Sequence, residues 1–375
     1  LNTAQWYHVA AVYGNGQLQL FLNGQLVNST ALSGSIVADV TPLTIGKSPN
    51  ALARFFHGKI DEVRIFKVAL SVTQLQRMVY QEITDFGGQV RGEIVPKDIE
   101  VLPYADLLRY YRMDVYKNDI IDDLTTPATD LGTGMQIFNN KIIAVQQAPM
   151  PFITNQSGNF ADAVNDVANE VRGLDIDEQD WSIVHVQHDI TAAINNVDLG
   201  MIVDPGVQIV MNNDSKIQND WYLKLDGSID LQGKSQLVQT AKSDLDVASA
   251  GIVQRDQAGQ SNGFNYNYWS SPVGVSNTTS NNNSYSLTAV LRDGTDANNP
   301  QLLNWTSGLN GSPTSPITLS SYWIFKFQNL TPQYANWSAV GQNGALLAAQ
   351  GFTLKGSNAA TATQNYTFVG KPNNG

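Results

Sequence analysis

The 375-residue sequence predicts a mostly β chain built from successive modules, and three observations carry that prediction. Apolar residues interleave with polar ones at strand-like spacing, as from Lys59 to Phe66, where charges are mixed with Ile60, Val63, Ile65 and Phe66. Such interleaving suits a pleated strand covered on one face. Turn signals recur throughout, among them Gly14-Asn15-Gly16, Asn23-Gly24, Asp204-Pro205-Gly206, Asp226-Gly227 and Gln232-Gly233, and they bound runs too short for ordinary helices. Clear helical spacing is confined to one short stretch, where Leu75, Met78 and Val79 form an apolar stripe behind Ser71, a residue suited to capping free amides.

The N-terminal elements follow in order. Trp6 to Tyr13 is a β-rich run turned back by Gly14-Asn15-Gly16, and Gln17 to Leu22 alternates glutamines with leucines. Asn23-Gly24 is a strong hairpin signal, because both turn positions need positive φ. Pro42 to Gly46 reads as another strand, and Gly58 opens the strand from Lys59 to Phe66 that leads into the capped helix. The motifs W-x-H-V-A, L-x-x-N-G, L-x-I-G and G-x-I-D-E-V-R-I-F occur in this order. Residues 1–83 thereby resemble the C-terminal half of a laminin-G-like, concanavalin A-like lectin domain. The resemblance implies a partial jelly roll whose earlier strands precede Trp6, so that apolar faces near the N-terminus lack partners within this chain.

Residues 84–180 read as a junction of mixed structure. Gly87-Gly88 and Pro96 break the pattern, Leu107 to Tyr116 and Ile142 to Val145 are strand-like, and Phe160 to Arg172 allows a helix. Residues 181–245 are more regular. Ile183 to Val186, Leu199 to Val203, Val207 to Met211, Trp221 to Leu225, Ser228 to Leu231 and Ser235 to Val238 are short strands separated by turns. Stacked coils of a β-solenoid-like segment would point Leu223, Leu225, Ile229, Leu231 and Leu237 inward, with Trp221 plugging or flanking the core; a β-sandwich is the rival reading. Residues 246–375 are β-rich and β-sandwich-like, with strands at Asn265 to Val273, Tyr322 to Phe327, Gly351 to Gly356 and Gln364 to Gly370, and a polar loop from Ser276 to Ser284. The blocks KLDGSIDLQGKSQLVQT, NYWSSPVG and NYTFVGKPNNG resemble large bacterial surface proteins exported by the type IX route. That resemblance implies lectin-like, β-helical and β-sandwich modules in one secreted chain, continuing beyond Gly375.

Composition narrows the function. A net charge of −11 argues against a nucleic-acid groove or an anionic membrane surface. No run is long and apolar enough to insert in a membrane. Without cysteine there are no disulfides, thiolate metal sites or cysteine nucleophiles.

Catalysis has no evident carrier. Retaining glucanases of the concanavalin A type carry E-x-D-x-E on one strand, which sets two carboxylates on one face about 5 Å apart. Here the aligned residues are Lys59-Ile60-Asp61-Glu62-Val63, and alternation predicts that Asp61 and Glu62 point to opposite faces. Asp61 reads as a hydrogen-bond acceptor at the sheet rim. The resemblance also offers it as a calcium ligand, and calcium is the one cofactor the sequence suggests. His8 reads as a packed strand residue, while His185 and His188, three apart, have poor geometry for one metal. Asp175 to Asp180 lacks the residues of an EF-hand loop and reads as an acidic turn. Tyr266 and Tyr268 share one strand face with Trp269 on the other, either of which could face the core, and Trp305, Trp323 and Trp337 read as core rather than as sugar-stacking platforms, as large aromatics usually are.

The expectation is therefore a non-enzymatic, extracellular binding or adhesion protein of a bacterial surface, whose partners are glycans or cell-surface ligands. A structural spacer, or an accessory region of a polysaccharide-degrading enzyme with its catalytic domain elsewhere, are the alternatives.

Overall fold

The computed structural model describes residues 3, 5–36, 40–49, 54–126, 133–138, 145–160, 181–328 and 337–375. Apart from Val145 and Phe160, the strand expected at Ile142 to Val145, the helix at Phe160 to Arg172 and the acidic turn at Asp175 to Asp180 lie outside them. The chain divides into two compact units, Leu1–Phe152 and Ile153–Gly375, and it is mostly β.

In the first unit, β1 (Val9–Gly14), β2 (Gln17–Leu22) and β3 (Gln25–Ala31) form an antiparallel meander. Its turns are Asn15-Gly16 and Asn23-Gly24, all four residues at positive φ, as two-residue hairpins of this twist require. Alternation turns Phe21 into the core while Leu18 and Leu20 on the other face remain exposed, and the pairing with β3 shifts register between Leu20 and Phe21. The strand expected over Pro42 to Gly46 does not form. Gly46 has a φ of 76°, and the Thr44 hydroxyl donates to the Lys47 carbonyl, so the segment turns locally and keeps one isolated bridge, Lys47 with Phe55.

The strand after Gly58 is shorter than the sequence pattern suggests. β4 covers only Val63–Phe66, because Glu62 adopts a φ of 53° and ends the pleat there. The following helix α1 (Val72–Gln76) carries a full capping box: Ser71 accepts from the Gln74 amide, and the Gln74 side chain accepts from the Ser71 amide. Leu75, Met78 and Val79 are all buried. Gly87-Gly88 is more than a pattern break, since both glycines at positive φ turn β5 (Ile83–Phe86) into β6 (Gln89–Gly92). β7 (Asp98–Pro103) completes that sheet, and β8 (Leu107–Tyr111) pairs with β4.

The second unit begins as a β-solenoid of about four turns. One parallel sheet stacks Ile183–Val186, Asn196–Val203 and Lys216–Leu225, the last followed by Gln236–Gln239 and Asp244–Leu245. The other stacks Ile190–Ala192, Gln208–Met211, Ser228–Leu231 and the start of Ile252–Gln260. Register places Ile209 on Ile229 and Ile229 on Val253, so apolar side chains stack along the axis. Leu223, Leu225, Ile229 and Leu231 are buried as expected, Leu237 is half-buried, and Trp221 is enclosed at 2% exposure.

Two local devices hold the coils in step. Turns end in buried serines: Ser215, Ser235, Ser243 and Ser249 each donate an amide to the carbonyl three residues earlier. Asx side chains reach the next coil, as Asp189 accepts from the Gln208 amide, Asn195 from Lys216, Asp214 from Lys234 and Asp226 from Ala250. At the tightest corner Gly251 is required, because a Cβ there would lie 2.1 Å from the Gly227 carbonyl oxygen.

The solenoid's second sheet continues without interruption into the C-terminal region. Ile252–Gln260 is parallel to the coil before it, yet it pairs antiparallel with Thr363–Pro372 from Val253↔Gly370 to Gln260↔Thr363. That closing strand occupies the sheet edge the last coil would otherwise expose. A second antiparallel sheet holds Tyr266–Ser270, Gly351–Lys355, Phe325–Phe327 and Trp337–Ala339, in the order 266–270, 351–355, 325–327, 337–339. The strand expected from Tyr322 is confined to Phe325–Phe327, with Tyr322 and Trp323 in the preceding turn. Trp269, Phe352, Tyr366 and Phe368 pack edge-on between the two sheets. The loop from Ser276 to Ser284 is tied down, because buried Lys371 donates to the carbonyls of Val247, Asn277 and Ser280.

Candidate functional site

The residue that sequence reasoning singled out, Asp61, sits among charges. The Ala148 amide donates to its Oδ2 at 2.6 Å, while its Oδ1 is enclosed without a partner. Burial pushes its carboxyl up to about 6. Glu62 breaks the pleat with a φ of 53°, and the two acids take separate partners. Glu62 is clasped by Arg64 and accepts from the Tyr110 hydroxyl at 2.7 Å. Arg64 also donates to the carbonyls of Met78 and Gln81 at 2.7 Å each. Arg112 lies 2.7 Å from Glu82, 3.0 Å from Asp114, 3.7 Å from Glu93 and 3.8 Å from Glu62. Burial, then hydrogen bonding with Glu93, pushes the Glu82 carboxyl up to about 7.

Two guanidiniums thus take the position a cation would hold among these carboxylates. Among the described residues no group of three or more His, Cys, Asp or Glu side chains is arranged to bind a metal, and this arginine-filled cluster does not fit calcium. The histidines are separate. His8, beside Arg64, is pushed down to about 4 by burial and stays neutral. His185 Nε2 bonds Asp204 at 2.7 Å, and His188 Nδ1 bonds Thr154 at 3.3 Å.

The feature that sequence reasoning placed elsewhere lies on the outer face of the four-stranded sheet in the second unit. Tyr266 and Tyr268 share that face, as alternation predicts, and Trp269 turns inward. Trp323 and Trp337, expected in the core, join the tyrosines instead. Ring centroids run Tyr322–Trp323 4.7 Å, Trp323–Tyr266 6.3 Å, Tyr266–Tyr268 6.0 Å, Tyr268–Trp337 6.3 Å and Trp337–Phe327 5.4 Å. The row is accessible: Tyr268 is 65% exposed, Tyr322 54%, Phe327 47% and Trp337 42%. Rings of this size are ordinarily buried, and a contiguous exposed run of them marks an interaction face.

The row is also held in place. Asn267, on the inward side between the tyrosines, accepts from the Gln260 amide at 2.9 Å and donates to its carbonyl at 3.2 Å. Trp323 donates its indole N–H to the Leu309 carbonyl at 2.7 Å. The Thr353 hydroxyl accepts from the Phe325 amide at 3.0 Å and donates to the Trp323 carbonyl at 2.8 Å. Lys355, opposite Tyr266 in the sheet, lays its ammonium 3.8 Å from the Trp323 centroid and 4.9 Å from the Tyr266 centroid. One sequence signal for the exposed tryptophans exists: Tyr322-Trp323 follows Ser320-Ser321, and Trp337 stands between Asn336 and Ser338, polar settings for a core ring.

Comparison with known proteins places part of the first unit. Residues 1–76 match the profile of the Concanavalin A-like lectin/glucanases superfamily, of the Laminin_G_3 type. A search of curated proteins gives no match. Among solved structures, an S-layer domain-containing protein (residues 221–444) from Clostridium thermocellum ATCC 27405 is 28% identical over 21% of this chain and 41% of its own, with a TM-score of 0.20. No helix among the described residues is long and apolar enough to cross a membrane. The chain thus carries, over its first 76 residues, a segment similar to the concanavalin A-like lectins and glucanases.

Proposed function

We propose that this chain is a non-catalytic, extracellular binding protein of a bacterial surface that recognises carbohydrate, and that the aromatic row is its binding face. The row itself is the observation that carries the reading. Pyranose rings present flat apolar C–H faces that stack on aromatic side chains, while their hydroxyls remain solvated or bonded to polar groups. A row of fixed, exposed rings suits an extended chain of such sugars better than a single residue. The lectin-like similarity of residues 1–76 and the resemblance of the C-terminal blocks to type IX-exported surface proteins support the same class. A non-catalytic role is supported by the charged cluster, where Glu62 and Glu82 are engaged by arginines and are not left free as an acid and nucleophile pair.

The stacked coils of the solenoid favour a second reading, a rigid spacer that displays other modules. Affinity electrophoresis of the full chain through gels containing soluble polysaccharides separates the two. Binding appears as retardation that Tyr268→Ala and Trp337→Ala remove without change in circular dichroism. Unretarded migration through a broad set of neutral and acidic polysaccharides would sink the carbohydrate reading and leave the spacer.

A further inference from the structure

We infer that the polysaccharide bound by the aromatic face is acidic, with Lys355, held over Tyr266 and Trp323, pairing to the carboxylate of a uronic-acid residue stacked on the neighbouring Tyr268; this rests on the carbohydrate reading above. Lys355 Nζ lies over the Trp323 and Tyr266 rings at 3.8 and 4.9 Å. It has no ion pair or hydrogen bond within the described residues. Its three donors are therefore available to a ligand. The rings fix its position without neutralising it.

Its surroundings are as informative. The four strands of this sheet carry no Asp or Glu. Residues 257–375 hold four cationic side chains and only two carboxylates, Asp293 and Asp296, within a chain of net charge −11. Asp293 is buried and accepts from Thr295 and Ile317. The acidity of the protein is thus concentrated elsewhere, where it repels a polyanion, and the aromatic face is left with one uncompensated positive charge.

That charge complements a particular sugar class. A uronic acid carries its carboxylate at the edge of the ring, beside the flat face that stacks. A pyranose seated on exposed Tyr268, whose ring lies 6.0 Å from that of Tyr266, can therefore turn that carboxylate toward the ammonium resting on Tyr266 and Trp323. A charge-assisted hydrogen bond formed beside apolar rings is stronger than its neutral counterpart.

The test compares one polymer in two charge states. Polygalacturonate fragments and their fully methyl-esterified counterpart share a backbone and differ in charge. Isothermal titration of the full chain at low salt should give roughly tenfold tighter binding of the acid form, the scale expected of one charged contact. Lys355→Gln should lower the acid form to the level of the ester, and Tyr268→Ala should weaken both. The preference should shrink in 1 M salt, where the screening length falls to about 3 Å. Equal binding of the two forms, or a preference that survives Lys355→Gln, overturns the acidic assignment while leaving carbohydrate binding intact. Failure of both forms together with every neutral polysaccharide overturns both readings. A dimer in sedimentation that Tyr268→Ala dissolves would instead assign the face to a second copy of this chain.

Discussion

Burial holds Asp61 protonated to about pH 6 and Glu82 to about pH 7, whereas unfolded carboxylates titrate near 4. Between those limits the folded chain keeps protons that the unfolded chain has released. The stabilisation from these groups is thus fully present at low pH and is lost as pH rises toward 7. Scanning calorimetry should place the first unit's transition a few degrees higher at pH 5 than at pH 7.5, and Asp61→Asn should flatten that slope; a rise in stability over this range would contradict the assignment. Because Arg64 already serves Glu62 and Arg112 serves Glu82 beside Asp61, calcium or a chelator should leave the same transition unmoved. Lys371 makes a complementary case. Its ammonium is bonded to three carbonyls, so Lys371→Met strands buried acceptors at about 1–3 kcal/mol, measurable by urea denaturation.

At the scale of elements, what the sequence made legible was set by local chemistry. Asn23-Gly24, the Ser71 cap and the apolar positions Leu223 to Leu231 are each decided within a few residues, and each appears as read. Where a neighbour in space decides, the reading stops. β4 starts late because Glu62 turns out of the pleat toward Arg64 and Tyr110, and Tyr110 lies 48 residues away. Trp323 and Trp337 face outward because Trp269, Phe352 and Phe368 already fill the space between the sheets, which no spacing rule reveals. One of the solenoid's buried polar groups is a further example. Asn219, fully buried next to the register shift of Asp198 and Gly200, donates to Asp198 at 2.6 Å and to the Tyr222 carbonyl at 2.8 Å, and accepts from Ser243. Asn219→Leu keeps the volume but removes every one of those bonds, and about 3 kcal/mol of stability should go with them. A loss below about 0.5 kcal/mol in urea titration would mean the network is incidental.

The largest-scale consequence concerns residues 246–375, which read from sequence as a β-rich region following the solenoid. Ile252–Gln260 belongs at once to the parallel stack and to the antiparallel sheet closed by Thr363–Pro372, so one strand is hydrogen-bonded along both edges. A single sheet cannot melt at one end while its shared strand stays ordered, and an exposed parallel edge invites pairing with other chains. Asn374 reinforces the join, its side chain accepting from the Leu245 amide at 2.8 Å. Solenoid and C-terminal region should therefore open as one cooperative unit. Native-state hydrogen exchange is the measurement: amides of Ile209, Ile229, Val253 and Phe368 should exchange through one opening with a common free energy and a common denaturant dependence. Two separate values, with the solenoid strands protected after Phe368 has exchanged, would show that the shared strand does not couple them.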